Sequence, residues 1–206
     1  MTEPLWVQQQ LVQRGIADPR VLGAMARVPR ELFVPDEDRD RAYADAPIPL
    51  PHGQTVSQPY MVALMCEVLA LEPGARVLDV GTGSGYAAAV LAELAAEVDT
   101  IERIPELVET ARTSLALAGY DRVRIHVGDG SRGLPDAAPF DGIAVAAAAR
   151  DVPPALWEQL RLGGRIAIPL VTGRHRQSLL VLQKTVGGRR TVASVPARFV
   201  PLISGP

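Results

Sequence analysis

Cysteine is almost missing from this chain: Cys66 stands alone among 206 residues. A single thiol excludes an intrachain disulfide and every metal site built on paired cysteines. Histidine is scarce as well, and His52, His126 and His175 are scattered without a metal-ligand spacing, so no metal is expected. No apolar run approaches the length of a membrane span, about 18 residues; even Ala87–Val98 is interrupted by Glu93 and Glu97. An excess of either charge is lacking too, with 21 basic against 23 acidic residues. Nucleic acid and anionic membranes are therefore not expected partners, since both need clustered Lys and Arg. The short basic runs at Gly173-Arg-His-Arg and Gly188-Arg-Arg read as solvated loops. Met1–Gln10 carries no charged leader followed by an apolar stretch, and a cytoplasmic location is the expectation.

What remains is a composition of 48% apolar and 21% charged residues, typical of a globular protein long enough for one domain. Residues 2 to 33 read as two helices, the second opened by the Asp18-Pro19 cap pair and followed by Val21, Leu22, Met25 and Val28 at helical spacing. The segment from Val34 to Ser57 is rich in Pro, Asp and Gly and reads as irregular. A helix from Pro59 to Leu71 stops at Glu72-Pro73-Gly74.

The rhythm then changes. Strands are predicted at 76–80, 98–102, 123–127, 140–145 and 165–170, with helices at 84–95, 104–118 and 153–162 between them. Such alternation implies an α/β fold with a doubly wound, mostly parallel sheet. The end differs: 178–183 and 191–200, joined through Gly187-Gly188, read as an antiparallel hairpin.

In open α/β sheets, ligands sit beyond the carboxyl ends of the strands, where the strand order reverses. Gly81-Thr82-Gly83-Ser84-Gly85 lies there, after the first predicted strand and before a helix. Read from Gly81, the dinucleotide spacing fails at Tyr86; read from Gly83, Gly85 and Ala88 satisfy it, so spacing leaves a nicotinamide cofactor open. Asp79, two residues before the loop, would repel a pyrophosphate but suits a ligand with an ammonium and a sulfonium. Its alternative role is to pair with a loop N–H. Glu102 ends the second strand 21 residues after Gly81, where an acidic side chain reaches ribose hydroxyls. Asp129, in Gly128-Asp129-Gly130, ends the third, in reach of an adenine amino group. Three acids at the tips of three consecutive strands favour S-adenosylmethionine.

At these residues the sequence resembles the protein-L-isoaspartate O-methyltransferase family. The likeness runs from Val21 to the end, through AMARVPRELFVP (24–35), AYADAPIPL (42–50), GQTVSQPYMVALM (53–65), VLDVGTGSGYAAAVLA (77–92), TIERIPEL (100–107), GDGSRGLPDAAPFD (128–141) and FVPL (199–202). GQTVSQP and FVPL are far more specific to the family than the glycine loop. The resemblance implies S-adenosylmethionine-dependent esterification of the free carboxylate of isoaspartyl residues in proteins and peptides, by a monomer acting on age-damaged substrates. It divides the chain into a helical, substrate-side part (1–72) and a cofactor-binding α/β part (73–206) of one domain.

The resemblance also assigns residues. The active-site serine falls on Ser57. The cofactor contacts fall on the loop (Gly81, Thr82, Gly83, Gly85), on Glu102 and on Asp129–Gly130, with the Val56 backbone near the methyl end. The family pattern often places Thr after the fourth strand, where this chain has Ala146. From spacing alone Ser57, two residues before Pro59, also reads as a helix cap. Two alternatives stand beside the main reading. One is a carboxyl methyltransferase acting on aspartate of a dedicated peptide; the other is a nucleotide-dependent oxidoreductase or a non-catalytic binding module.

Overall fold

Alternating strands and helices build a seven-stranded sheet in the computed structural model, which describes residues 4–174 and 176–205. Its parallel part consists of β3 (Arg76–Val80), β4 (Glu97–Glu102), β5 (Arg124–Val127), β6 (Phe140–Val145) and β7 (Leu160–Gly173); β1 and β2 lie outside it and are described below. β8 (Arg176–Thr185) and β9 (Gly188–Ala197) extend it antiparallel. The order is β5-β4-β3-β6-β7-β8-β9, so the chain leaves β3 in one direction and returns on its other side at β6. That reversal opens a crevice at the tip of β3. β3, β4 and β6 are buried along almost their whole length, as strands covered on both faces must be.

The helices start where local chemistry predicts. In α2 (Pro19–Arg27) the Asp18 carboxylate accepts the Arg20 amide at 2.8 Å, with Pro19 in the first turn. A cap of this kind is worth about 1 kcal/mol. α1 (Leu5–Gln10) precedes it. α3 (Pro59–Leu69) ends at Ala70, which takes a left-handed conformation at φ 49°. α4 (Tyr86–Ala92), α5 (Pro105–Leu117) and α6 (Pro154–Gln159) are the crossovers. Buried residues of α1 to α4 share one apolar cluster, so the N-terminal helices are seated on the same core as the glycine-loop helix.

Residues 34–57 are irregular as expected, apart from short 3-10 turns and a two-stranded ribbon, β1 (Ile48–Pro49) paired with β2 (Thr55–Val56). Two expectations need correction. Gly188-Arg189-Arg190 is not a loop, because β9 begins at Gly188 and pairs its arginines with Gln183 and Lys184. Gly173 and Arg176 likewise belong to the ends of paired strands. Arg174, Arg176, Arg189 and Arg190 remain exposed. His175 lies outside the described residues.

Candidate active site

The loop after β3 is shaped by its glycines. Gly83 and Gly85 have φ of 53° and 90°, where a Cβ is strained, and a Cβ on Gly85 would also stand 3.1 Å from Leu115 Cγ. The loop is tied to the next strand by the Gly81 amide, which donates to the Ile101 carbonyl at 2.9 Å. A second tie runs to Glu102: one carboxylate oxygen accepts the Gly83 amide at 3.0 Å. The other accepts the Arg103 and Ile104 amides at 2.8 and 3.1 Å. An ionised carboxylate has about four acceptor positions, so three amides leave capacity for a ligand hydroxyl.

These groups line an open cleft whose empty space, its mouth and the adjoining solvent included, is about 870 Å³. Opposite the loop stand Val56 and Ser57, delivered by β2 and the residue that follows it. A Cβ on Gly83 would lie 4.0 Å from the Thr55 carbonyl, which measures how closely the ribbon approaches the loop. Ser57 is half-buried and does not cap α3; the cap position is Gln58, and no side chain closes the helix there. The capping alternative is therefore not what the backbone adopts.

Of the ten residues singled out in the sequence, Ser57, Val56, Gly81, Thr82, Gly83, Glu102 and Gly130 border this cleft. Gly85 shapes the loop from behind it. Two carboxylates depart from expectation. Asp79 does not reach the cleft wall: it is 1% exposed and shares the face of Val77, pointing sideways into the protein rather than beyond the strand tip. It pairs with no loop N–H. Instead its Oδ2 accepts the Thr100 hydroxyl at 2.8 Å, and Thr100 Oγ1 lies 2.6 Å from Thr82 Oγ1. Asp79 Oδ1 has no partner among the described residues. Burial pushes the Asp79 carboxyl up to about 7, and the Glu102 charge pushes the same way, against the Thr100 hydrogen bond.

Asp129 is the second departure. One oxygen accepts the Ser131 amide and hydroxyl at 2.9 and 2.7 Å, and the other accepts the Gly205 amide at 2.8 Å. Burial alone would raise this carboxyl, but those bonds, with Arg132 nearby, hold it below its ordinary value. The carboxylate thus anchors the chain's own tail beside the cleft.

That tail was not foreseen as part of the site, although the FVPL motif pointed at it. Val200–Ile203 forms one wall of the cleft. Ala148 donates to the Val200 carbonyl at 2.7 Å, and Leu202 donates to the Ala148 carbonyl at 2.8 Å. Ala146 borders the cleft as well, its amide on the Val80 carbonyl at 2.8 Å, and brings no hydroxyl there. Tyr86 is 1% exposed and meets Phe33 edge-on, while also bordering the cleft floor.

The donor set fits S-adenosylmethionine. A buried acid with spare acceptor capacity stands at the tip of β4, the loop glycines Gly81 and Gly83 present bare backbone to the cleft, and Ile101, Ile104 and Leu202 supply apolar walls for a flat ring. Among the described residues there is no cluster of three potential metal ligands, and no helix is long and apolar enough to cross a membrane.

Comparison with known proteins agrees over nearly the whole length. A family model described as protein-L-isoaspartate(D-aspartate) O-methyltransferase matches residues 5–206. The chain is 56% identical over 198 residues to protein-L-isoaspartate O-methyltransferase 2 of Marinobacter nauticus, covering 96% of this chain and 90% of that one. It is 54% identical over 195 residues to the protein-L-isoaspartate O-methyltransferase of Roseiflexus castenholzii, covering 95% and 89%. Among solved structures, one from Plasmodium falciparum, in complex with S-adenosyl-L-homocysteine, is similar with a TM-score of 0.81 at 27% identity, covering 96% of each chain. Another, titled protein-L-isoaspartate O-methyltransferase, has a TM-score of 0.84 at 28% identity; this chain spans 65% of its length.

Proposed function

This chain belongs to the protein-L-isoaspartate(D-aspartate) O-methyltransferase family, and on that premise we propose that it esterifies the free carboxylate of L-isoaspartyl residues in damaged proteins and peptides. The donor is S-adenosylmethionine. The observation that carries the reading is the convergence of Ser57 with the Gly81–Gly85 loop and Glu102 on one cleft.

Bound in that cleft, S-adenosylmethionine supplies an electrophilic methyl group on a sulfonium. The residues around it have placement as their task. A carboxylate is already ionised at pH 7, its ordinary pKa being about 4, so no general base is required. The Ser57 hydroxyl donates to one oxygen of the substrate carboxylate and leaves the other directed at the methyl group. Glu102 accepts from a ribose hydroxyl, and the loop backbone approaches the donor closely. Val56 backs the methyl end. Asp79 acts from beneath, orienting Thr100 and Thr82, and Asp129 holds the tail against the adenine end beside Gly130. An anion and a cation neutralise each other as the methyl moves, so a dry site does not oppose the step.

The released methyl ester is neutral and is attacked by the neighbouring backbone amide nitrogen. Methanol leaves and a succinimide forms, and water opens that ring to give some normal aspartate. In this reading residues 1–72 form the substrate side and 73–206 the cofactor side of one domain. The enzyme works as a cytoplasmic monomer whose partners are isoaspartyl-containing proteins and peptides, with no nucleic acid or membrane. Labelled methyl transfer tests the reading: an isoaspartyl peptide accepts label and the matching aspartyl peptide does not. Equal labelling of the two, or none of either, defeats it.

A further inference from the structure

Arg30 has no surface exposure at all, yet it carries a charge. Among the described residues no carboxylate stands within ion-pair distance of it. The nearby acids are engaged elsewhere, Asp45 with Arg14 and Glu31 with the Tyr43 hydroxyl. Nη1 has no partner. Burial lowers the guanidinium's pKa, and Tyr86, Tyr43 and Asp45 oppose it without cancelling it. As packing material, a hydrophobe of the same volume would serve better, because a buried ion seldom recovers its desolvation cost.

The remaining atoms of the guanidinium show what it holds. Nε donates to the Ala42 carbonyl at 2.6 Å, and Nη2 donates to the Ser57 carbonyl at 2.8 Å. The fork therefore ties Ala42, inside the irregular segment 34–57, to Ser57 at its end. Its carbon lies 4.5 Å from the centre of the Tyr86 ring, which borders the cleft floor. Ser57 needs such a tie. It follows β2, which ends at Val56, and precedes α3, which begins at Pro59, so it belongs to neither hydrogen-bonded ladder. The residue at the helix mouth, Pro59, has no amide to offer.

We propose that Arg30 is the positioning residue for Ser57: its buried fork fixes the Ser57 peptide plane, and thereby the aim of the hydroxyl at the substrate carboxylate. This rests on the role assigned to Ser57 above. Arg30 touches neither substrate nor donor; it acts through the serine. An alignment-dependent methyl transfer makes such a support consequential, because a displacement of about 1 Å costs about a hundredfold in rate.

A double-mutant cycle tests it, with kcat and KM on an isoaspartyl peptide, S-adenosylhomocysteine affinity by calorimetry, and melting temperature measured for each protein. The four proteins are the parent, Ser57→Ala, Arg30→Met and the double variant. Arg30→Met is expected to lower kcat by about tenfold or more in the parent but by less than about threefold on the Ser57→Ala background. S-adenosylhomocysteine affinity should stay within about threefold, as the Glu102 side of the cleft is untouched. Arg30→Lys keeps the charge but reaches only one carbonyl, so its kcat should fall between the two. It takes the place of Arg30→Met in the cycle should that variant not fold.

A strut with no positioning role gives the opposite pattern: a lower melting temperature with kcat and KM of the folded enzyme unchanged. That result overturns the proposal, as does an equal loss on both backgrounds. If Ser57→Ala alone leaves kcat intact, the reading of Ser57 itself fails. If Ser57→Ala is damaging and the losses multiply, only the role of Arg30 fails.

Discussion

Glu102 and Gly83 meet across the cleft's edge: the carboxylate at the tip of β4 accepts the amide of the glycine loop at 3.0 Å. Because the same side chain also accepts two amides of its own strand end, Glu102 is held in one orientation before any ligand arrives. Preorganisation of this kind reduces the ordering cost of binding.

Glu102→Ala should accordingly weaken S-adenosylhomocysteine binding by about tenfold to a hundredfold, the worth of hydrogen bonds to a charged acceptor. Titration calorimetry reads this directly. Unchanged affinity would remove Glu102 from the ribose site.

The Asp129 carboxylate holds the Gly205 amide at 2.8 Å, and the residues just before Gly205 wall the cleft. Asp129→Ala should loosen that wall. Amides of 200–205 are expected to exchange with deuterium about tenfold faster, and S-adenosylhomocysteine to dissociate faster in stopped flow. Identical exchange in variant and parent would show that the tail is held by its bonds to Ala148 alone.

Asp79 makes stability depend on pH in an unusual direction. Its carboxyl is pushed up to about 7 in the folded protein, chiefly by burial, from an unfolded value near the ordinary one. Between about pH 4 and 7 the folded state therefore binds more protons than the unfolded state at this residue, and its contribution falls as pH rises. Asp79→Asn is neutral throughout. The melting temperature of the variant minus that of the parent should climb across that window and level off above it, by the equivalent of a few kcal/mol. A flat difference from pH 4 to 8 would show that Asp79 stays ionised.

Cys66 is 4% exposed, and burial with the nearby Asp79 charge pushes its thiol well up. Alkylation at pH 8 should be about a hundredfold slower in the folded protein than in denaturant, because the thiolate is the reacting form. Mass spectrometry after a timed pulse gives the ratio. Fast labelling of the native chain would require an opening of α3.

Much of the scaffold was legible residue by residue. Asp18-Pro19 announced α2, and Glu72-Pro73-Gly74 stopped α3 close to Leu69. The step from a short apolar run to glycines to a helical period located the loop after β3. These are local signals, written within a few residues by cap chemistry, turn conformation and side-chain alternation. The extent of β7, Leu160–Gly173 rather than 165–170, was not local, since pairing of Leu160 with Phe140 of β6 extends its start and pairing with β8 extends its end. The strand identity of Arg189 and Arg190 came from the same kind of pairing.

The site divides along the same line. The sequence alone determined which residue types stand at the strand tips, that a glycine loop opens there, and that Ser57 precedes a proline-led helix. Only the tertiary structure decided that Asp79 turns inward to Thr100, that Asp129 is taken up by a glycine 76 positions away, and that Arg30 grips the Ser57 carbonyl. The physical reason is one of range. Backbone preference is set by neighbours in the chain, whereas the aim of a buried polar group is set by whichever distant partner relieves its desolvation.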